Sequence, residues 1–347
     1  GSSHKMIGLI LGSYGFTQML VRIPLGIYSD TIGKRKIFIL LGIIIAVIST
    51  LGMALFPAPG ALLFFRGMTG VAAAAWVTFT VLFSSYFSIE DASKSLGYLN
   101  SFNALGQMLA MFLGGILAKR LGLRAPFFLS TAVGLLGLIL GLGIVEKTGK
   151  KEPLEISSLL TVGRERDLLI ASGLAILIQI LTFATVYGFT PVAAERLGAD
   201  EFQRGLLTTL STMPTIFASA MSGSVFAKRF GERKTIVAGF ALFSLSCAMI
   251  PVIENLKFLY MTEIIGGFAR GLVFPLLMGL SIKAVDSDRR GTAMGFFQAI
   301  YGLGMFLGPV LVGSISDIAG LSWGFWIVSI LGVTGSIISA IFVDNTF

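Results

Sequence analysis

The chain has almost no thiol or imidazole chemistry: one cysteine, Cys247, and one histidine, His4, in 347 residues. A single cysteine excludes an intrachain disulfide framework. A single histidine at the terminus excludes histidine-based metal centres and catalytic triads. Charge is also scarce, at 13% of residues against 55% hydrophobic, with a mean hydropathy of +0.89. A soluble domain needs far more polar surface. No HExxH or Walker sequence occurs, and the glycine-rich GLGMFLG (Gly302 to Gly308) lacks the spacing of a dinucleotide fingerprint. No catalytic residue, metal ligand or cofactor is therefore read from the chain.

What is present is a succession of apolar runs, each long enough to cross the hydrocarbon core. They fall at 6–29, 37–57, 61–87, 96–118, 125–146, 167–191, 202–226, 235–254, 257–282, 291–316 and 321–343. These are helices, because a membrane barrel would show shorter alternating segments. The expected class is an all-α integral membrane protein embedded in a lipid bilayer.

The net charge of +8 does not point to nucleic acid, because the basic residues sit in short loops between spans. Sixteen lysines and arginines fall on one alternate set of loops, from Lys34, Arg35 and Lys36 to Arg290, and six on the other. The richer set is expected on the cytoplasmic side of the inner (plasma) membrane. The C-terminus is then cytoplasmic, and residue 1 lies outside.

The longest polar stretch, Glu146 to Asp167, divides the chain. It sets off an N-terminal bundle at 1–146, a cytoplasmic linker at 147–166 and a C-terminal bundle at 167–347. The two bundles repeat. A shift of 198 residues carries Gly97 and Gly106 onto Gly295 and Gly304, and Gly33 onto Gly231. Internal repeats of this kind are common in transporters. The same shift places the partner of the span at 167–191 before residue 1. The expectation is therefore two pseudo-symmetric six-helix bundles, with eleven of twelve helices present and the first absent. The opening GSSHKM then has two readings, an expression scar or the outer loop between the first and second helices, and the outside position of residue 1 favours the loop.

The first basic loop reads GIYSDTIGKRK, and it resembles the loop signature of the major facilitator superfamily, G-x-x-x-D-x-x-G-[RK]-[RK]. Gly26, Asp30, Gly33, Lys34 and Arg35 carry the match. The resemblance implies that Asp30 caps the start of the family's eleventh helix, here near Gly291, and latches an outward-facing state. The alternative is simple retention of the loop by its positive charge. LLFFRGMTGVAAA resembles a motif of proton-coupled members through Arg66 and Gly70. GLGMFLGPVLVG, with Gly304, Gly308, Pro309 and Gly313, resembles the glycine–proline motif of drug–proton antiporters. The family carries that motif in its fifth helix, where this chain has Met111 in place of the proline.

Four charges within spans stand out: Arg22, Arg66, Glu263 and Arg270. Each is a site candidate, because a charge at this depth is costly unless it faces protein or water. Arg66, Glu263 and Arg270 are candidates for proton coupling, and Glu263 is the one acid away from the ends of a span. Glu263 and Arg270 are seven residues apart on one helical face, ~10 Å along the axis. The alternatives are packing or ion-pair roles for the arginines and an outer-loop position for Glu263. For the substrate cavity the candidates are Arg22, Asn100, Asn103, Gln107, Gln298 and Tyr301. Gln298 and Tyr301 are the repeat mates of Asn100 and Asn103, and matched polar pairs belong at the repeat interface. Interhelical hydrogen bonding is the alternative. Trp76, Gln179 and Tyr187 are weaker candidates.

The function expected from this resemblance is secondary transport by alternating access. A small-molecule substrate and a coupling proton are its partners, in a monomer without cofactor. Export of small amphiphilic compounds or drugs leads. Uptake of a nutrient such as a sugar or organic anion is the second reading, and a non-transporting receptor the third.

Overall fold

The computed structural model describes residues 3–87, 92–146, 164–283, 285 and 290–344, with the side chains of a few further residues, Asp30 and Asn100 among them, left undescribed. The linker expected at 147–166 therefore lies almost wholly outside the described residues.

The described residues are helical throughout the spans. The N-terminal helices are α1 (His4–Ile32), α2 (Arg35–Leu55), α3 (Pro59–Ala74), α4 (Trp76–Ser84), α5 (Ala92–Leu121) and α6 (Ala125–Leu142). The C-terminal helices are α7 (Arg166–Ala184), α8 (Thr190–Arg196), α9 (Glu201–Met221), α10 (Glu232–Met249), α11 (Leu256–Lys283), α12 (Arg290–Ala319) and α13 (Leu321–Phe342). Two expected spans are broken. The run at 61–87 is α3 and α4 meeting at Ala75. The run at 167–191 continues through a π-helical turn, Thr185–Phe189, into α8. A second π-helical turn, Ser222–Ala227, follows α9. Ten helices or helix runs among the described residues are long and apolar enough to cross a membrane. The expected span at 202–226 is the exception. Its helix α9 carries a hydroxyl stripe of Thr208, Ser211, Thr212 and Thr215 in place of apolar residues.

Local chemistry sets the boundaries. Asp200 begins α9 with a capping box, accepting from the Gln203 N–H while the Gln203 side chain accepts from its own. Gly33 ends α1 in the left-handed region at φ 68°, and its repeat mate Gly231 sits at φ 87° before α10. Glu146 accepts from the backbone N–H groups of Arg35 and Lys36, pinning the start of α2 to the end of α6. Arg35 is buried, so that member of the basic loop is held by protein.

The repeat reappears as a pair of hydrogen bonds. Thr17 on α1 donates to the Gly67 carbonyl of α3 at 2.6 Å, and Thr215 on α9 donates to the Gly267 carbonyl of α11 at 2.8 Å. Thr17 and Thr215 are 198 residues apart. Lipid gives helices no hydrophobic reason to associate, so small residues that allow close backbone approach drive the packing. Gly70 faces the Tyr14 carbonyl and Gly267 faces that of Ser211, each with no room for a Cβ.

The N-terminal and C-terminal helices meet along two seams. In the first, α1 lies against α12, with Gly8, Gly12 and Gly15 on Pro309, Phe306 and Met305. In the second, α5 lies against α9, where Gly115 and Gly205 touch. The apolar core is centred in the C-terminal helices, around Ile178, Phe240, Leu277 and Phe325.

Candidate functional site

The site is assembled by α1, α3, α7, α11 and α12, each of which contributes an arginine or an aromatic ring. Arg22 of α1 is 4% exposed. It donates to the Tyr301 hydroxyl at 3.2 Å and the Gln298 carbonyl at 3.5 Å, and lies over the Tyr301 ring, 5.9 Å from its centroid. Arg66 of α3 lies 5.0 Å above the Tyr14 ring. The Tyr14 ring stacks on Phe183 at 6.2 Å, and Phe183 meets Tyr187 at 5.2 Å. Arg270 of α11 lies over Tyr187 at 5.7 Å and donates to the Thr215 hydroxyl at 2.9 Å. Tyr14 is within electrostatic range of Arg66, Arg22, Tyr301 and Tyr187 together. Three guanidiniums, each over a tyrosine, thus lie along a group of rings that crosses from α1 and α3 to α7, α11 and α12.

Some donors there have no acceptor. Arg22 Nε, Arg66 Nε and Arg270 Nη1 are buried without a hydrogen-bond partner, as is the Gln18 side-chain oxygen. The Arg66 side chain makes no hydrogen bond or ion pair among the described residues. Glu263 lies inside α11 and is 4% exposed, which places it within the helix rather than in an outer loop. Its polar neighbours are Thr190, Ser211 and Arg270. Thr190 follows the π-helical turn, an irregularity that recurs at functional sites.

The structure joins Arg22 to Tyr301 and the Gln298 carbonyl, sets Arg66 over Tyr14, and links Arg270 to Tyr14 through Tyr187 and Phe183, with Glu263 in electrostatic range of Arg270. Asn103 and Gln107 of α5 are exposed beside Phe102 and stand apart from this cluster. The side chains of Asn100, Asp30 and residues 290–292 lie outside the described residues, and with them the expected latch between Asp30 and the start of α12. Gly26 is in ordinary contact with Val77. In the glycine–proline motif, Gly304 and Gly308 accept the α7 backbone, while Pro309 and Gly313 accept α1. Sequence reasoning missed Tyr14, Thr17, Phe183 and Thr215. The repeat spacing from Thr17 to Thr215 was the signal that could have exposed two of them.

Two polar clamps close one end of the seams. At the first, Asp317 at the end of α12 accepts from the His4 and Lys5 backbone N–H groups at 2.8 and 2.9 Å, capping the start of α1. The His4 ring lies 3.2 Å from the same carboxylate. At the second, Lys119 at the end of α5 meets Asp200 at the start of α9 at 2.7 Å. The Lys119 hydrogen bond, aided by the Gln203 N–H, holds the Asp200 carboxyl below the usual aspartate range.

The profile described as Major Facilitator Superfamily matches residues 1–172 and again 172–346. An uncharacterized MFS-type transporter of Methanocaldococcus jannaschii is 26% identical across 99% of this chain and 91% of its own. The class C tetracycline resistance protein of Escherichia coli is 25% identical across 92% of this chain and 83% of its own. Among solved structures, a bacterial homologue of the human lysosomal transporter Spinster, captured inward-facing and occupied, superposes with a TM-score of 0.80 at 16% identity. That match covers 97% of this chain and 88% of the other.

Proposed function

Because this chain belongs to the Major Facilitator Superfamily, we propose that it is a proton-coupled secondary transporter that exports small amphiphilic molecules by alternating access. The observation that carries this reading is the arginine–tyrosine cluster, set where the α1–α12 seam joins the two groups of helices. A binding site at a repeat interface can face either side as the groups rock about it. In this reading residues 1–146 and 167–347 are the two rocking bundles. The loop set rich in lysine and arginine faces the cytoplasm, so the clamps at Lys119 and Asp317 close the outer side.

Glu263 carries the coupling proton. It is a buried carboxylate in the electrostatic range of Arg270, so substrate and proton compete for the same local field. The likeness to the tetracycline resistance protein supports export of an amphiphilic cargo. The three guanidiniums favour one second reading, uptake of an anionic nutrient, and the direction of flux separates the two.

A further helix belongs in this assembly. In the C-terminal group, α7 packs against α11, α12 and α13. No described N-terminal helix plays the corresponding part. Only 6% of the apolar window within Phe102–Leu121 is buried, against 50% within its repeat mate Ala293–Ala319. The repeat partner of α7 would cover that face and bring Asn103 and Gln107 into the cavity.

Proteoliposomes test the proposal. Under an imposed proton gradient, candidate amphiphiles should move against their own gradient with accompanying proton flux. Absence of both fluxes across a broad panel would leave the receptor reading.

A further inference from the structure

Where the helix groups meet, Arg22, Arg66 and Arg270 lie over Tyr301, Tyr14 and Tyr187, and among the described residues Glu263 is a carboxylate within electrostatic range of Arg270. Arg22 and Arg270 are 4% and 8% exposed. Each of the three keeps a buried nitrogen with no acceptor: Nε of Arg22, Nε of Arg66 and Nη1 of Arg270. A buried charge in a membrane protein persists where protein, water or a ligand answers it. Here the described protein answers only part of the charge and only some of the N–H groups.

We infer that this arginine–tyrosine cluster binds an organic anion: a carboxylate carried on a planar aromatic body. The inference rests on the transporter reading and narrows its cargo. A carboxylate supplies the acceptor oxygens that the guanidinium forks lack, and the fork geometry suits it. The rings of Tyr14, Tyr187 and Tyr301, whose faces the guanidiniums take, offer edges against which a flat apolar body packs edge to face. A cationic cargo fits poorly. The same three ring faces already carry Arg66, Arg270 and Arg22, so an ammonium would meet like charge where it would seek a ring. A neutral polar cargo would leave the charge imbalance in place.

The test is a charge series on one aromatic body, measured by calorimetry with the full chain in lipid nanodiscs. The probes are 2-naphthoate, 2-naphthylmethanol and 2-naphthylmethylammonium. Naphthoate should bind at least tenfold tighter than the alcohol, and the ammonium should bind weakest. Arg66→Gln and Arg22→Gln should each weaken naphthoate at least tenfold and narrow its advantage over the alcohol. If those variants do not fold, Arg66→Lys keeps the charge but loses the fork, and it should still weaken naphthoate severalfold. Equal or tighter binding of the alcohol or the ammonium overturns the inference, as does failure to bind any of the three. Counterflow of the same probes in proteoliposomes separates this from the transport reading. A chain that binds naphthoate but exchanges none of the probes contradicts transport and leaves the anion site standing. A chain that exchanges the ammonium and rejects naphthoate keeps transport and removes the anion site.

Discussion

Lys119 and Asp200 meet at 2.7 Å across the two groups of helices, and 198 residues beyond Lys119 stands Asp317, which closes the other seam by capping α1. The repeat has placed one clamp at the end of α5 and its counterpart at the end of α12, with the charge reversed. Each seam is thereby fastened at the same end of the bundle.

This arrangement gives a pH dependence with a defined sign. The carboxyl of Asp200 is held below its ordinary value, chiefly by Lys119. The clamp is therefore complete above the unfolded aspartate value, ~3.9, and is lost as pH falls through the depressed folded value. Asp200→Asn should reproduce the acid state at neutral pH. A cysteine placed at Phe202, in a background where Cys247 is serine, should label severalfold faster in Asp200→Asn and in Asp317→Asn. Unchanged labelling in both would remove the clamps from the account.

The close glycines make a graded prediction about stability. Gly70→Ala and Gly267→Ala would each drive a methyl into a carbonyl of the neighbouring helix, and should destabilise by ~1–3 kcal/mol. Gly279 has nothing within 4 Å of an added Cβ. Gly279→Ala should be neutral or stabilising by ~0.5–1 kcal/mol, because alanine restricts the unfolded chain and favours helix. Thermal unfolding in detergent checks the order; a Gly279→Ala loss larger than the Gly267→Ala loss would contradict it.

The sequence made the helices legible because apolar length and loop charge are strong, local signals. It made the repeat legible through Gly33 and Gly231, where a left-handed backbone selects glycine at matched positions. It did not reveal the break at Ala75 or the π-helical turn at Thr185–Phe189, since a shift in backbone hydrogen-bond register needs no distinctive residue. Arg22, Arg66, Glu263 and Arg270 stood out because charge is rare in an apolar span. Their aromatic partners did not: Tyr14 and Phe183 look like packing until the fold sets them beside Arg66. Lys119 and Asp200 read as ordinary loop charges, because nothing local reveals a partner 81 residues away.

The mirrored threonines should differ in consequence. Thr17 donates to a backbone carbonyl of α3, whereas Thr215 donates to Gly267 and also accepts from Arg270. Thr17→Val should cost ~1 kcal/mol, and Thr215→Val ~1–3 kcal/mol, because it strips a partner from a buried charge. Thr215→Ser should recover most of the loss. Equal unfolding temperatures for the two valine variants would show that Arg270 does not depend on Thr215.

Glu263 offers the sharpest separation of coupling from binding. Glu263→Gln should abolish proton-driven accumulation in proteoliposomes while leaving counterflow of substrate within about threefold of the unaltered chain, since glutamine keeps the shape and removes the titration. Gradient-driven uptake with unchanged pH dependence in this variant would take Glu263 out of the mechanism.

The central claim, that two groups of helices rock about the arginine–tyrosine cluster, is tested most directly by paired distances. Spin labels at Leu121 and Ile318 report the clamp end, and labels at Tyr28 and Phe230 report the opposite end; all four residues are exposed. Double electron–electron resonance in nanodiscs, with and without substrate and across pH, should show the two distances changing in opposite senses. Distances that rise and fall together, or that stay fixed in every condition while transport proceeds, would contradict the account.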